Sequence, residues 1–210
     1  MKNTNLPNLE IIAIGLTAVL KFLLMDWLQL RGVYVAGISL FWIGYVIYRV
    51  KTTPHILHIW GFKTSGFRQS FFVLLPITLL SMVICIFYAA ILNTLSFSWH
   101  VIPVFFLYPI WGVIQQFVML GIILQTLDTL FNTTIHRYVL VALVAALFSL
   151  IHYPSPFLMI STFCLEILLV TVYSKWKNLW AIGIAHGWIG TFLLFYVLER
   201  DLWLELFYTH

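Results

Sequence analysis

Long apolar runs, separated by short stretches that are basic or carry proline, dominate the chain. An α-helix needs about 20 apolar residues to cross a bilayer. Runs of roughly that length fall at 9–30, 32–50, 69–92, 101–130, 138–152, 156–173 and 179–198. Backbone polar groups in lipid must be satisfied within the segment, so each run is expected to be a helix. The expected fold is all-α, a polytopic transmembrane helical bundle of about seven to eight spans. The fourth run is too long for one straight crossing. Pro103 and Pro109 predict a leading segment, or a separate short helix, before a helix that starts near Tyr108. The fifth run is short and ends at Tyr153-Pro154-Ser155-Pro156, a turn between antiparallel helices. No internal repeat or low-complexity tract is visible.

Composition agrees with the pattern and removes alternatives. The chain has 210 residues, 62% hydrophobic and only 9% charged, with mean hydropathy +1.01, whereas soluble domains carry about 25% charged residues. A small globule leaves too much surface in water to hide this apolar content, which excludes a soluble enzyme, and the hydrophobicity excludes disorder. The net charge of +4 is spread over short loops rather than one soluble face, so nucleic-acid binding has no support. With the N-terminus inside, Lys2, Arg49, Lys51, Lys63, Arg68, Arg137, Lys175 and Lys177 lie on the inner side, against Arg31 and Arg200 on the outer. That is the bias expected of a cytoplasmic face. Segment 51–68 mixes basic residues with Trp60, Phe62 and Phe67, the composition of an interfacial segment. Cys85 and Cys164 fall inside apolar runs and read as small core residues, not a disulfide. The first residues lack the short apolar stretch and small-residue site of a removable leader.

Ionisable and strongly polar residues are costly in lipid and mark bundle interiors or wet cavities. The candidates are Lys21, Asp26, Gln115, Gln116, Gln125, Asp128, His152, Glu166 and His186. Lys21 and Asp26 stand five apart, a poor spacing for one face of an α-helix. They are expected to snorkel or to pair with another helix. Gln125 and Asp128 read as a polar cluster at a helix end. Gln115, Gln116, His152, Glu166 and His186 come from the last four spans. Counted along the helices at about 1.5 Å per residue, their depths permit a shared cavity. Any one of them alone reads best as an interhelical hydrogen bond; together they read as a site. His55 and His58 stand in the inner loop beside Trp60 as interfacial anchors, and His100, His136 and His210 read as surface residues.

Order and spacing then resemble a known group. Gln115-Gln116-Phe117-Val118-Met119-Leu120-Gly121, then Phe148-Ser149-Leu150-Ile151-His152, then His186-Gly187-Trp188-Ile189-Gly190, resemble the three successive motifs EExxxR, FxxxH and HxxxN. Those are the motifs of the CPBP family, the type II CAAX prenyl endopeptidases and bacteriocin-processing (Abi) proteins. Asn178-Leu179-Trp180-Ala181 is similar to that family's approach to the third motif. The resemblance covers about residues 100–198 and implies N-terminal membrane helices with a basic inner loop over 1–98. Core helices over 99–198 and a short acidic tail over 199–210 complete the division.

Both glutamates of the first motif are glutamines here, its arginine is Leu120, and the asparagine of the third is Gly190. An amide is a poor base. The changes are mutually consistent: positions 116 and 120 share a helix face, and losing the acid alone would strand an arginine in lipid. The resemblance implies an intramembrane endopeptidase acting on a membrane-associated peptide, lipidated or unlipidated. In this chain Glu166 is read as the base, with His152 and His186 positioning water, and Gln115 and Gln116 holding the peptide or the developing oxyanion. Either histidine is the alternative base. No cofactor is expected. A zinc ion on His152, His186 and Glu166 is the lesser reading, because the three lack the common frame of an HExxH helix. A catalytically inactive peptide-binding scaffold or bacteriocin-immunity protein is the alternative function. A transporter is disfavoured by the lack of repeat symmetry. The resemblance points to a bacterial inner membrane.

Overall fold

The computed structural model describes residues 6–131 and 136–208, so Lys2 and His210 lie outside the described residues. Helix α1 (Leu6–Leu20) runs on into a π-helical turn, Lys21–Trp27. It is followed by α2 (Arg31–Thr52), a short α3 (Ile56–Trp60) and α4 (Phe67–Ile91). After these come α5 (Val101–Phe131), α6 (Arg137–Leu150), α7 (Pro156–Trp176), α8 (Leu179–Val197) and a short α9 (Leu202–Phe207). Five of these, α2, α4, α5, α7 and α8, are long and apolar enough to cross a membrane; α6 is shorter, at 14 residues. Large apolar side chains such as Leu80, Phe87 and Phe106 point outward at 60%, 65% and 70% exposure. A folded chain leaves such a coat bare only where lipid covers it. The protein is an integral membrane helical bundle.

The fourth apolar run is one helix, not a leading segment followed by a second helix. Pro103 falls in the first turn of α5, where a missing N–H breaks no helical bond. Pro109 is interior, and α5 continues through it and through a π-helical stretch, Phe117–Leu124. The α5–α8 contact is the closest in the core. A methyl group built on Gly183 would lie 2.6 Å from the Val113 Cα, and one on Gly187 would lie 2.5 Å from the Pro109 Cα. Only glycine lets these two backbones approach so closely, the packing rule of membrane helices.

At the basic end, α3 folds into the bundle. Trp60 is 4% exposed, with its ring 4.8 Å from that of Phe117, and the Tyr173 hydroxyl donates to the Trp60 carbonyl at 2.8 Å. Asn178 caps α8 through the Ala181 N–H and donates to the carbonyls of Lys63 and Ser65. The centre of segment 51–68 is therefore a core strap and not a lipid-facing anchor; the exposed His55 and His58 lie on its outer side. Gln125 and Asp128 do not cluster together. Gln125 donates to Ile59 O and Tyr173 Oη, while Asp128 pairs with Arg137 at 3.2 Å.

The opposite end carries the connections 28–30, 92–100, 151–155 and 198–201. Lys21 and Asp26 pair there, Nζ to Oδ2 at 2.6 Å. The α-helical spacing argued against a shared face, but a π-helix bonds i to i+5 and so aligns residues five apart. Lys21 also donates to the Tyr153 carbonyl at 2.8 Å. His100 is not a surface residue: its Nδ1 meets Asp201 Oδ2 at 2.6 Å, and its ring stacks on Trp203. Cys164 is not a core residue but an exposed one on a cavity wall, whereas Cys85 is buried.

Candidate active site

The close approach of α8 to α5 sets the site. His186 follows Gly183 by less than a turn, and Gln115 lies one turn beyond Trp111 on the facing helix, so the two side chains meet: His186 Nε2 stands 3.2 Å from Gln115 Oε1. Phe148, one turn before His152, puts its ring edge-on to both histidines, 4.9 Å from that of His152 and 5.4 Å from that of His186. Gln115, His152 and His186 line a common cavity of about 900 Å³ that reaches the end of the bundle opposite the basic loops.

Gln116 and Glu166 are placed differently. Both are fully buried, and Gln116 Nε2 donates to Glu166 Oε2 at 2.8 Å between α5 and α7. Neither lines the cavity. The five residues singled out in the sequence therefore divide into a cavity set (Gln115, His152, His186) and a buried pair beneath it (Gln116, Glu166). Among the described residues no three His, Cys, Asp or Glu side chains stand close enough together to hold a metal ion. The ligand set weighed for zinc, His152, His186 and Glu166, does not converge, and Glu166 is committed to Gln116.

The hydrogen bonds assign the imidazole nitrogens. His152 Nδ1 lies 2.9 Å from the Phe148 carbonyl, one turn back on its own chain. A carbonyl only accepts, so Nδ1 carries the proton, and in the neutral ring Nε2 carries the lone pair. His186 Nε2 donates to the Gln115 side-chain oxygen, which leaves the Gln115 amide hydrogens free; His186 Nδ1 is buried without a protein partner. Gln116 Oε1 and Glu166 Oε1 are likewise buried and unpartnered by protein. Such a concentration of incomplete hydrogen bonding is uncommon in a native core and calls for a functional explanation.

One participant was missed in the sequence. A methyl group on Gly190 would lie 2.8 Å from Tyr108 Cε1, so the Tyr108 ring fills the space into which a longer side chain at 190 would project. Tyr108 lines the cavity together with Gly190. The signal was the glycine itself: its partner stands across the α5–α8 contact, 82 positions earlier, where sequence spacing carries no information. The buried Leu120, in the aliphatic core, takes the position of the first motif's arginine without leaving a charge.

Residues 96–192 match the family model described as type II CAAX prenyl endopeptidase, Rce1-like. No curated protein and no solved structure matches the chain.

Proposed function

We propose, from the match of residues 96–192 to the Rce1-like type II CAAX prenyl endopeptidase model, an intramembrane endopeptidase that hydrolyses a membrane-associated peptide with a neutral, histidine-based site. The supporting observation is the fixed tautomer of His152, whose Nδ1 is tied to the Phe148 carbonyl and whose other nitrogen is the basic atom of a cavity-lining ring. In this reading His152 Nε2 takes a proton from water as that water attacks the peptide carbonyl, and later returns it to the leaving amine. The free Gln115 amide hydrogens, held in place by the His186 bond, donate to the developing oxyanion. Glu166 is a positioning residue: it fixes Gln116 and, through α5, the adjacent Gln115. The site is bacterial inner-membrane in this proposal, with peptide entering from within or beside the bilayer.

Cleavage of a library of lipidated and unlipidated membrane-proximal peptides by the purified protein in nanodiscs tests the assignment. His152→Ala is expected to lower the rate by about 10²–10⁴-fold, the contribution of a general base, and Gln115→Ala by about 10²-fold or more, that of an oxyanion donor. Glu166→Gln retains most of the activity. A loss in Glu166→Gln equal to that in His152→Ala would move the base to Glu166. The second reading, an inactive peptide-binding scaffold or immunity protein, is favoured by the amides at 115 and 116 and requires peptide to bind wild type and all three variants alike, uncut.

A further inference from the structure

Of the three cavity residues, His152 alone stands outside a helix: α6 ends at Leu150, and the imidazole is carried by the turn that follows. Local bonds shape that turn. The His152 N–H donates to the Ser149 carbonyl at 2.9 Å, the Tyr153 N–H to the Leu150 carbonyl at 3.2 Å, and the Ser155 N–H to the His152 carbonyl at 3.0 Å. Ser149 and Ser155 also bond to the start of α7, through the Met159 carbonyl and the Leu158 N–H. Among the described residues, one hydrogen bond reaches the turn from elsewhere in the chain. Lys21 Nζ donates to the Tyr153 carbonyl at 2.8 Å, across 132 positions.

Lys21 is itself held. Its Nζ meets Asp26 Oδ2 at 2.6 Å and stands 4.4 Å from the centre of the Phe22 ring, and only 12% of its side chain is exposed. The π-helical turn brings the carboxylate round to the ammonium. A lysine near the end of a span ordinarily turns its charge to water. This one is turned to the carbonyl one residue after the imidazole, and both residues line the same cavity. Lys21 belongs to the extension of α1, well before residues 96–192, which match the endopeptidase model.

We infer that Lys21 is a positioning residue for His152. The N-terminal helix, through one charge-assisted bond to the Tyr153 carbonyl, sets where the imidazole stands in the cavity, and Asp26 directs the ammonium. The inference rests on the reading of His152 as the base for its meaning in catalysis; the positioning itself is a property of the folded chain. A bond from a cation is stronger than a neutral one, and a planar peptide held at its oxygen cannot tilt without moving the neighbouring Cα. Without Lys21 the turn keeps its local bonds and loses its outside anchor, so the ring remains in the cavity but no longer in one place. A displacement of about 1 Å costs about 10²-fold in rate.

Magic-angle-spinning NMR of the full chain in lipid bilayers, with histidine labelled by nitrogen-15, tests this without turnover. The His152 ring signals are those lost in His152→Ala. Wild type is expected to give one sharp set, and Lys21→Met a broadened or doubled one, with the His186 and His100 signals unchanged. Lys21→Gln serves equally if Lys21→Met does not fold. Lys21→Arg keeps a cationic donor and restores the single set, whereas Lys21→Met/Asp26→Asn, which strands no charge, behaves as Lys21→Met does. In peptide cleavage kcat falls about 10²-fold in Lys21→Met with KM unchanged, and Lys21→Arg recovers most of it. An undisturbed His152 signal in Lys21→Met overturns the proposal. Equal disturbance of His186 and His100 means general loosening of the bundle and overturns it too. A single set regained in the double variant traces the effect to an unpaired Asp26 and removes the bond to Tyr153 as its cause. Signals that change as expected in a wild type that cuts no peptide end the hydrolytic reading and leave the positioning; an unchanged kcat in Lys21→Met does the reverse.

Discussion

Gln116 and Glu166 are one amide and one carboxyl joined by a single hydrogen bond in a buried contact between α5 and α7. The pairing, more than either residue, is what the packing accommodates. Gln116→Glu alone sets two carboxyls face to face and is expected to destabilise the fold by about 1–3 kcal/mol. Adding Glu166→Gln restores an amide–carboxyl pair with the roles exchanged and recovers most of that loss, a coupling of about 0.5–3 kcal/mol. Thermal unfolding of the four proteins in detergent, followed by tryptophan fluorescence, measures it. Purely additive effects would mean that the two side chains do not depend on each other. All five candidates were singled out in the sequence because polar atoms in lipid-length apolar runs stand out. Their division into a cavity set and a buried pair was not. Residues 50 positions apart meet according to the rotation of their helices, and apolar composition does not report rotation. The tautomer of His152 was equally hidden, since it depends on a carbonyl of its own helix.

At the scale of elements, helix positions followed from apolar length, while local helix geometry did not. Lys21 and Asp26 were misjudged because the α-helical period was assumed where the chain takes a π-helical turn. Pro103 and Pro109 were overread as a break because proline is benign in a first turn and α8 supports the interior one. That support depends on Gly187. Gly187→Leu drives a side chain into the Pro109 backbone, costs about 1–3 kcal/mol or more by overpacking, and separates Gln115 from His186. Activity is expected to fall even in the fraction that stays folded, which an active-site titration against folded protein would show.

Helix α9 gives a pH prediction. Burial pushes the Asp201 carboxyl up, but bonds from His100, the Leu204 N–H and Ser98 outweigh it and hold the group below its ordinary 3.8. Burial likewise pushes Glu205 up, and Arg200 and Arg31 hold it below its ordinary 4.5. A depressed carboxyl stabilises the fold above its unfolded value, and that stabilisation is lost as pH falls through the folded value. Docking of α9 should therefore be flat at neutral pH and weaken only as pH falls below 4.5, where the Glu205 contribution starts to go, and further below 3.8, where that of Asp201 follows. The emission lost on Trp203→Phe, followed against pH, reads it; undocking already near neutral pH would mean that these carboxylates do not hold the helix.

Across the whole molecule, the charge distribution and the cavity together fix where chemistry meets solvent. The basic loops that define the inner side, Arg49, Lys51, Lys63, Arg68, Arg137, Lys175 and Lys177, stand at one end of the bundle, and the cavity opens at the other, among Lys21, Arg31 and Arg200. By the positive-inside rule the basic end is expected in the cytoplasm, and the mouth is then expected to face outward. The chain carries its own probe. Cys164 is exposed on the cavity wall and Cys85 is buried, and these are the two cysteines of the sequence. In right-side-out vesicles, a membrane-impermeant maleimide added outside should label Cys164, and Cys164→Ala should remove the signal. Labelling only after the vesicles are inverted would reverse the orientation. Labelling only by a lipophilic maleimide would mean that the cavity is filled from the bilayer and never wets. A wet mouth is what the proposed hydrolytic site needs, because water for His152 would have to reach it past the Arg31–Glu205–Arg200 cluster. The rate of Cys164 labelling should accordingly rise in Glu205→Gln, where α9 is no longer held across the opening.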